Sequence, residues 1–459
     1  MKQQFVDPGR APVIGVSLAL VGTYAAAFVF FPENPAPAGA LFVPAVILTA
    51  CILAVPAVRT LTGSPEATHA ENFVAFGYVF WLLLDLLQGV YDLGEASNRG
   101  LQLALASIGV SAAAMWVGMM ARPWRIPQWM VEGINRPLHT DTLTKAVAVC
   151  LVLGMFNYMY SVNFDIPEMF SYLGESRWAV PWGRGQLGGW ESFRDQAPYF
   201  GYVLPSLTAL LIARLGILHP RSVFAIACSL VMLAFLAQSG GRRLIGVTVG
   251  AALMVWVQTN PTRQVKNMVV VGVGLLALAW TAQFMLSIRS FGYQASLEGR
   301  GEQLDYFHID DNFLRLAQII DIVPARRDHV GSQQIVFTLV RPVPRVLWPG
   351  KPVSPGFDLP AEVGMKGLSL SSSIIGEWYL AYGWFAVIFG GWFHGRLAAA
   401  ANSLREVGNR VGNPIVYSLA VMVLLAGMRS MQELVLMSYA LVAWWAVNRF
   451  LLKPSPHSA

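Results

Sequence analysis

The chain has 459 residues, 55% of them hydrophobic and only 13% charged, with a mean hydropathy of +0.51. A soluble domain is about 25% charged, so this composition excludes a string of soluble domains, a disordered chain and a disulfide scaffold. The net charge of +6 is what basic residues flanking membrane spans produce, and no basic run with interleaved aromatics points to nucleic acid.

A membrane span needs ~20 mostly apolar residues. Twelve stretches meet or approach that length: 13–31, 41–58, 73–90, 101–121, 143–162, 199–217, 221–238, 241–257, 266–287, 372–396, 414–430 and 433–452. The expected fold is an all-α polytopic membrane protein of about twelve transmembrane helices. The first stretch follows Lys2 and Arg10 as a signal peptide would, but with so many spans behind it an uncleaved first helix is the better reading. Cys51, Cys150 and Cys228 each fall within an apolar stretch and read as small buried hydrophobes, not as a disulfide or a zinc site. The organisation that follows is 1–287 (helices 1–9), 288–371 (a long loop with its own amphipathic helices) and 372–459 (helices 10–12).

Lys and Arg counts orient the spans. With the N-terminus inside, cytoplasmic segments hold sixteen and the short outer loops seven, including Arg99, Arg242, Arg243 and Arg429. The nine in 288–371 are discounted, because long loops cross whatever their charge. Both termini are therefore expected in the cytoplasm, with 163–198 and 288–371 on the outer side. The first of these carries Tyr172, Trp178, Trp182, Trp190 and Phe193, which could stack on sugars, although aromatics gather at membrane interfaces regardless. In the second, Asp310 is placed to cap a helix running to about Ile322. Phe313, Leu316, Ala317, Ile320 and Val323 share one face of it, and Asp311, Arg315, Gln318 and Asp321 lie away from that face. Pro324 ends it. A second helical stretch, Gln333 to Val340, leads into Arg341-Pro342-Val343-Pro344-Arg345, where the prolines forbid a regular helix.

Arginine at the outer end of a span opposes the insertion bias and asks for a reason. Ser239-Gly240-Gly241-Arg242-Arg243 combines a tight turn with two forked guanidinium donors suited to phosphate. Arg289 follows span nine, and Arg429 lies in the outer hairpin of the last two spans. Together they form a candidate cationic cluster, against the plainer reading that each snorkels to headgroups. Glu377 is a candidate general base or an arginine counter-ion. Asp85, inside span three, reads as structural, and Arg429 with Glu433 fits an ordinary i, i+4 pair. His308 has the pKa range for proton transfer, though a lone loop histidine is commonly idle. No HExxH, P-loop, nucleotide fingerprint or metal-ligand spacing occurs, so neither a cofactor nor a metal is expected.

Arg341-Pro342-Val343-Pro344-Arg345-Val346-Leu347-Trp348-Pro349-Gly350-Lys351-Pro352 resembles the PR-x-x-WP-x-KP element of bacterial oligosaccharide repeat-unit polymerases, the Wzy-type or O-antigen polymerase family. Ser369 to Gly383 is similar to that family's small-residue stretch followed by Gly-Glu-x-Tyr, and Gln238 to Arg243 to its SG-x-R turn. The resemblance covers about residues 235–430; residues 1–230 match in hydropathy only. It implies a metal-independent, GT-C-like membrane glycosyltransferase of the bacterial inner membrane. The substrates would be undecaprenyl-pyrophosphate-linked oligosaccharides, and the expected protein partners a chain-length regulator and a flippase. On that reading Arg242, Arg243, Arg289 and Arg429 bind the diphosphate, Arg341, Arg345 or Lys351 closes over it, and Glu377 or His308 draws the acceptor proton. SG-x-R also occurs in O-antigen ligases, which leaves a ligase as the near alternative. A twelve-span transporter is the alternative of another class.

Overall fold

The computed structural model describes residues 10–127, 129–130, 138–176, 178–182, 194–238, 241–260, 264–288, 306–307, 309–341, 343, 345–365, 370–407 and 414–451. Among these residues the regular structure is helical, with no strand, as an all-α polytopic membrane protein requires. In lipid each backbone polar group must find its partner within the chain, and a helix does this locally.

Nine described helices are long and apolar enough to cross a bilayer. Seven come first: α1 (Ala11–Val29), α2 (Phe42–Leu61), α3 (Ala70–Gln88), α4 (Asn98–Met120), α5 (Thr140–Ser161), α6 (Pro198–Leu215) and α7 (Pro220–Gln238). Next are α8 (Arg242–Thr259) and α9 (Gln264–Ile288), the second containing the apolar span Val269–Leu286. The long loop contributes α10 (Asn312–Ile322) and α11 (Gln333–Val340), and the chain finishes with α12 (Ile374–Val407), α13 (Pro414–Gly427) and α14 (Met431–Leu451). Thus nine of the twelve expected stretches satisfy length and hydropathy together. The other three are helical but depart from a plain span. Two arginines open α8, α13 is short, and α12 is broken.

The break in α12 falls at Tyr382 (φ −150, ψ 31) and Gly383 (φ 61, ψ −144). Glycine takes a positive φ without the Cβ clash that other residues incur. The two arms then pack on one another, Trp378 lying against Gly390 and Phe393. Carbonyls released at the break are taken up by the loop: the Val330 and Gly331 N–H groups donate to Leu380 and Ala381 at 2.9 and 3.1 Å. The expected span at 372–396 is therefore two arms, and the longer one continues to Val407.

Two apolar cores hold the bundle. One gathers α1 to α4, α10 and α12; the other gathers α5 to α8 and α14. α13 is the seam, giving Tyr417, Val421 and Leu424 to the first core and Ile415, Leu419 and Met422 to the second. A helix apolar on every side belongs inside a structure, and α13 is buried along nearly its whole length.

Although a few hydroxyl and amide bonds such as Tyr78–Ser111 lie within the bundle, the ion pairs and loop contacts gather at two ends. At one, Arg59 of α2 pairs with Glu66 and Glu71 at 2.8 and 2.7 Å, and Asn402 of α12 reaches Glu71. At the other, Asn98 bonds Glu33, Leu93 bonds Ala36, and the Ser97 N–H donates to Asp321 of α10 at 2.7 Å. Segments expected on the same side of the membrane thus meet at the same end.

Amphipathic α10 follows its expected bounds and face, with Phe313, Leu316, Ala317, Ile320 and Val323 buried. Its N-cap is Asp311, not Asp310, and the polar face meets protein instead of water. Arg315 and Gln318 are buried and both bond Glu95, at 3.1 and 3.0 Å.

Candidate active site

α8 begins with Gly241 as N-cap and Arg242 and Arg243 as its first two residues. Basic side chains in a first turn oppose the helix dipole, so they need acids or an anionic ligand nearby. Arg242 donates to the Ile309 carbonyl at 3.2 Å, tying α8 to the start of the loop helix. Arg243 forms an ion pair with Glu433 of α14.

Glu433 is placed by a helix cap. Ser430 accepts from the Glu433 N–H at 3.1 Å and opens α14. In a capping box the acid would turn back toward the cap; here its carboxylate reaches Arg243 and lies 3.7 Å from Arg429. Arg429 also pairs with Asp310 at 2.5 Å. An ionic chain therefore runs Arg243, Glu433, Arg429, Asp310 across α8, the α13–α14 turn and the head of α10. The i, i+4 pair read from sequence exists, as the weaker of Arg429's two acid contacts.

Glu377 joins this network from the short arm of α12. Ser373, at φ 56, caps the arm by accepting from the Gly376 N–H at 3.1 Å. One turn on, the buried Glu377 carboxylate accepts the Met431 N–H at 2.5 Å, with Gln334 of α11 as a further partner and Arg429 close by. One carboxylate thus binds the start of α14, the arm of α12 and α11 together.

Beside the ionic chain lies a group of cations. Arg341, just past the end of α11, donates to Gln432 at 2.8 Å. Lys351 donates to the Arg341 and Val343 carbonyls at 2.7 and 2.9 Å, tying its own segment back to these two residues. Partial burial, with the Arg345 and Arg341 charges, lowers the Lys351 pKa. Arg345 forms no ion pair among the described residues. Three cations crowded this way make a positive field that an anion would relieve.

The structure thus brings Arg242, Arg243, Arg429 and Glu377 into one network, with Arg341, Arg345 and Lys351 at its side. Arg289 and His308 lie outside the described residues. Asp85 accepts from Tyr91 at 3.3 Å, and its other oxygen finds no donor among the described residues. His329 bonds the Tyr379 carbonyl at 3.0 Å next to the α12 break, away from the ionic chain. Of the outer aromatics, Trp182 is core, packed against Tyr158 and Phe235, whereas Trp178 is 73% exposed; Trp190 is outside the described residues. Sequence reading missed Asp310, Gln334 and Gln432 as site residues, and no local motif marks them. Among the described residues no group of His, Cys, Asp or Glu is arranged to hold a metal.

Comparison of the chain with protein-family models, with curated proteins and with solved structures yields no match.

Proposed function

We propose that this protein is a polysaccharide polymerase that joins undecaprenyl-pyrophosphate-linked oligosaccharide repeat units at the periplasmic face of the bacterial inner membrane. The observation that carries the reading is the meeting, at the end bearing the long loop, of the Arg242–Arg243 turn, Arg429, Glu377 and the Arg341/Arg345/Lys351 turn. All of these except Arg429 come from the three motifs that carry the family resemblance.

In the proposed reaction the terminal hydroxyl of a fresh lipid-linked unit attacks the anomeric carbon of the growing chain. The new glycosidic C–O bond forms as the bond to the diphosphate oxygen breaks, the hydroxyl proton passes to Glu377, and undecaprenyl diphosphate leaves. Charge develops mainly on that leaving group. Preorganised cations stabilise it, and by analogy with oxyanion donors each is worth ~3–4 kcal/mol in the barrier. Arg341, Arg345 and Lys351 suit this role best, because their charges crowd one another. Arg243 and Arg429 hold Glu433, Asp310 and Glu377 in register. The Met431 N–H fixes the orientation of the base.

The transporter reading is disfavoured because the Arg242 head of α8 shares an end with the long loop through its bond to Ile309. The proposal is tested by deleting the gene in its native host and analysing surface and lipid-linked glycans. A ladder that collapses to one repeat unit, restored by the intact gene, is the expected result. Long glycan stranded on the carrier would indicate a ligase, and repeat units trapped in the cytoplasm a transporter.

A further inference from the structure

Immediately beside Glu377 a groove of about 420 Å³ opens between α11, α12, α13 and α14. Ile335 and Leu339 form its wall at the loop-bearing end, Leu434 and Leu441 its floor, and Leu397 and Leu404 its far side. That volume falls within the ~300–1,000 Å³ of ligand clefts. Leu339, on the wall at the loop-bearing end, is 60% exposed, so the groove is not sealed from the surroundings of the bundle.

The lining chooses its occupant by being almost wholly apolar. Its two hydroxyls are already used within their own helices, Thr338 donating to Gln334 and Ser438 to Val435 at 3.0 and 2.6 Å. The Trp378 indole N–H is buried against Gly390 and has no hydrogen-bond partner among the described residues. A sugar or peptide placed here would lose its hydrogen bonds to water without replacement, whereas hydrocarbon would lose none. The mouth is the opposite in character. Trp378 and Met431 of the lining adjoin Glu377 and Gln432, and Arg341 lies two residues past Leu339 and bonds Gln432 at 2.8 Å. A dry slot ending at a cationic cluster is complementary to one hydrocarbon chain attached to a phosphate.

We propose that this groove is a lipid-chain site, holding the first isoprenoid units of a polyprenyl diphosphate whose head lies at Arg341, with α11 closing over the chain. It rests on the reading of the neighbouring site as a lipid-diphosphate site. Chain entry at α11 would then set the position of Arg341 and Gln334 against Gln432 and Glu377, coupling lipid binding to assembly of the catalytic groups.

The test uses the full chain in phosphatidylethanolamine–phosphatidylglycerol nanodiscs, with a photoreactive geranylgeranyl diphosphate as probe and photoreactive phosphatidylglycerol as comparison. The diphosphate probe is expected to label peptides containing Ser438, Leu441 or Leu404, and unlabelled undecaprenyl diphosphate should compete it away. Ser438→Phe or Ala400→Phe should cut that labelling at least tenfold while phosphatidylglycerol still labels the exposed face of α9. Should either variant fail to fold, competition in the unmodified protein decides. Labelling confined to outward faces, insensitive to competitor, or matched in the groove by phosphatidylglycerol would overturn the proposal. Labelling in a protein whose deletion leaves the glycan ladder unchanged would keep the site and discard the polymerase; a collapsed ladder with no groove labelling would do the reverse.

Discussion

Glu377 and Asp85 are carboxylates at the same end of the molecule, and their neighbours assign them different work. Glu377 is held on the Met431 N–H beside Arg429, while Asp85 holds the Tyr91 hydroxyl. Replacing a general base costs ~10²–10⁴-fold in rate. Glu377→Gln, which keeps the shape and an acceptor, is therefore expected to abolish detectable polymer while the protein still folds; Asp85→Asn should leave the glycan ladder intact. Gel analysis of cells complemented with each variant distinguishes them, and a ladder lost only with Asp85→Asn would move the base to α3. The Arg243–Glu433 pair makes a second claim at this scale. Contacting charges couple by ~0.5–3 kcal/mol, so Arg243→Ala and Glu433→Ala together should lower the Tm by less than the sum of the single changes. Strict additivity in a thermal-unfolding cycle would mean the pair is not formed. The arginines and Glu377 were legible in the sequence because each violates a hydropathy expectation. The local Arg429–Glu433 pair was legible too, but the partners on other elements were not, since Arg243 meets Glu433 across 190 residues and Arg429 meets Asp310 across 119, and such pairings are set only by how the helices pack.

Among the elements, the spans were legible because hydropathy reports which segments enter lipid, and α10 because its apolar residues repeat with the helical period. The break in α12 was not, because Gly383 stands in an apolar run, and what favours the fold-back, the loop contacts at Val330 and Gly331 and the packing of Trp378 on Gly390, appears only once the chain is folded. Packing between α4 and α12 was equally hidden. A Cβ on Gly391 would meet the Ser111 carbonyl oxygen at 2.2 Å, and one on Gly395 the Met115 carbonyl oxygen at 2.0 Å. Both obstacles are backbone, which cannot turn aside as a side chain can, and close approach through small residues is how membrane helices associate. Gly391→Ala and Gly395→Ala should each destabilise by about 1–3 kcal/mol, the usual cost of overpacking. Gly272→Ala in α9, where nothing lies within 4 Å, should be neutral or gain ~0.5–1 kcal/mol from helix propensity. Thermal unfolding in detergent, followed by size-exclusion recovery, gives the comparison, and an equal response at Gly395 and Gly272 would refute the packing argument.

At the scale of the whole molecule, the segregation of polar networks to two ends turns topology into one measurable alternative. The loop-bearing end carries the candidate site and the turn around Lys351; the other carries Arg59, Glu71 and Asn402 together with the α6–α7 turn and the head of α7, whose Arg221 pairs with Asp141 at 2.6 Å. Val353 and Leu218 mark the two ends and are 72% and 87% exposed. In a chain whose Cys51, Cys150 and Cys228 are replaced by alanine, Val353→Cys and Leu218→Cys give single reporters at positions with no structural task. The excess of basic residues in the segments at the Leu218 end predicts that this end is cytoplasmic. A membrane-impermeant maleimide applied to intact spheroplasts should then label Val353→Cys at once and Leu218→Cys only after lysis. The reverse pattern would place Arg341, Arg345, Lys351 and Glu377 in the cytoplasm, where lipid-linked repeat units have not yet been flipped, and a periplasmic polymerase could not survive that result. Labelling of both positions before lysis would contradict the two-ended bundle itself, since a bundle that spans a bilayer has ~30 Å of hydrocarbon between its two ends.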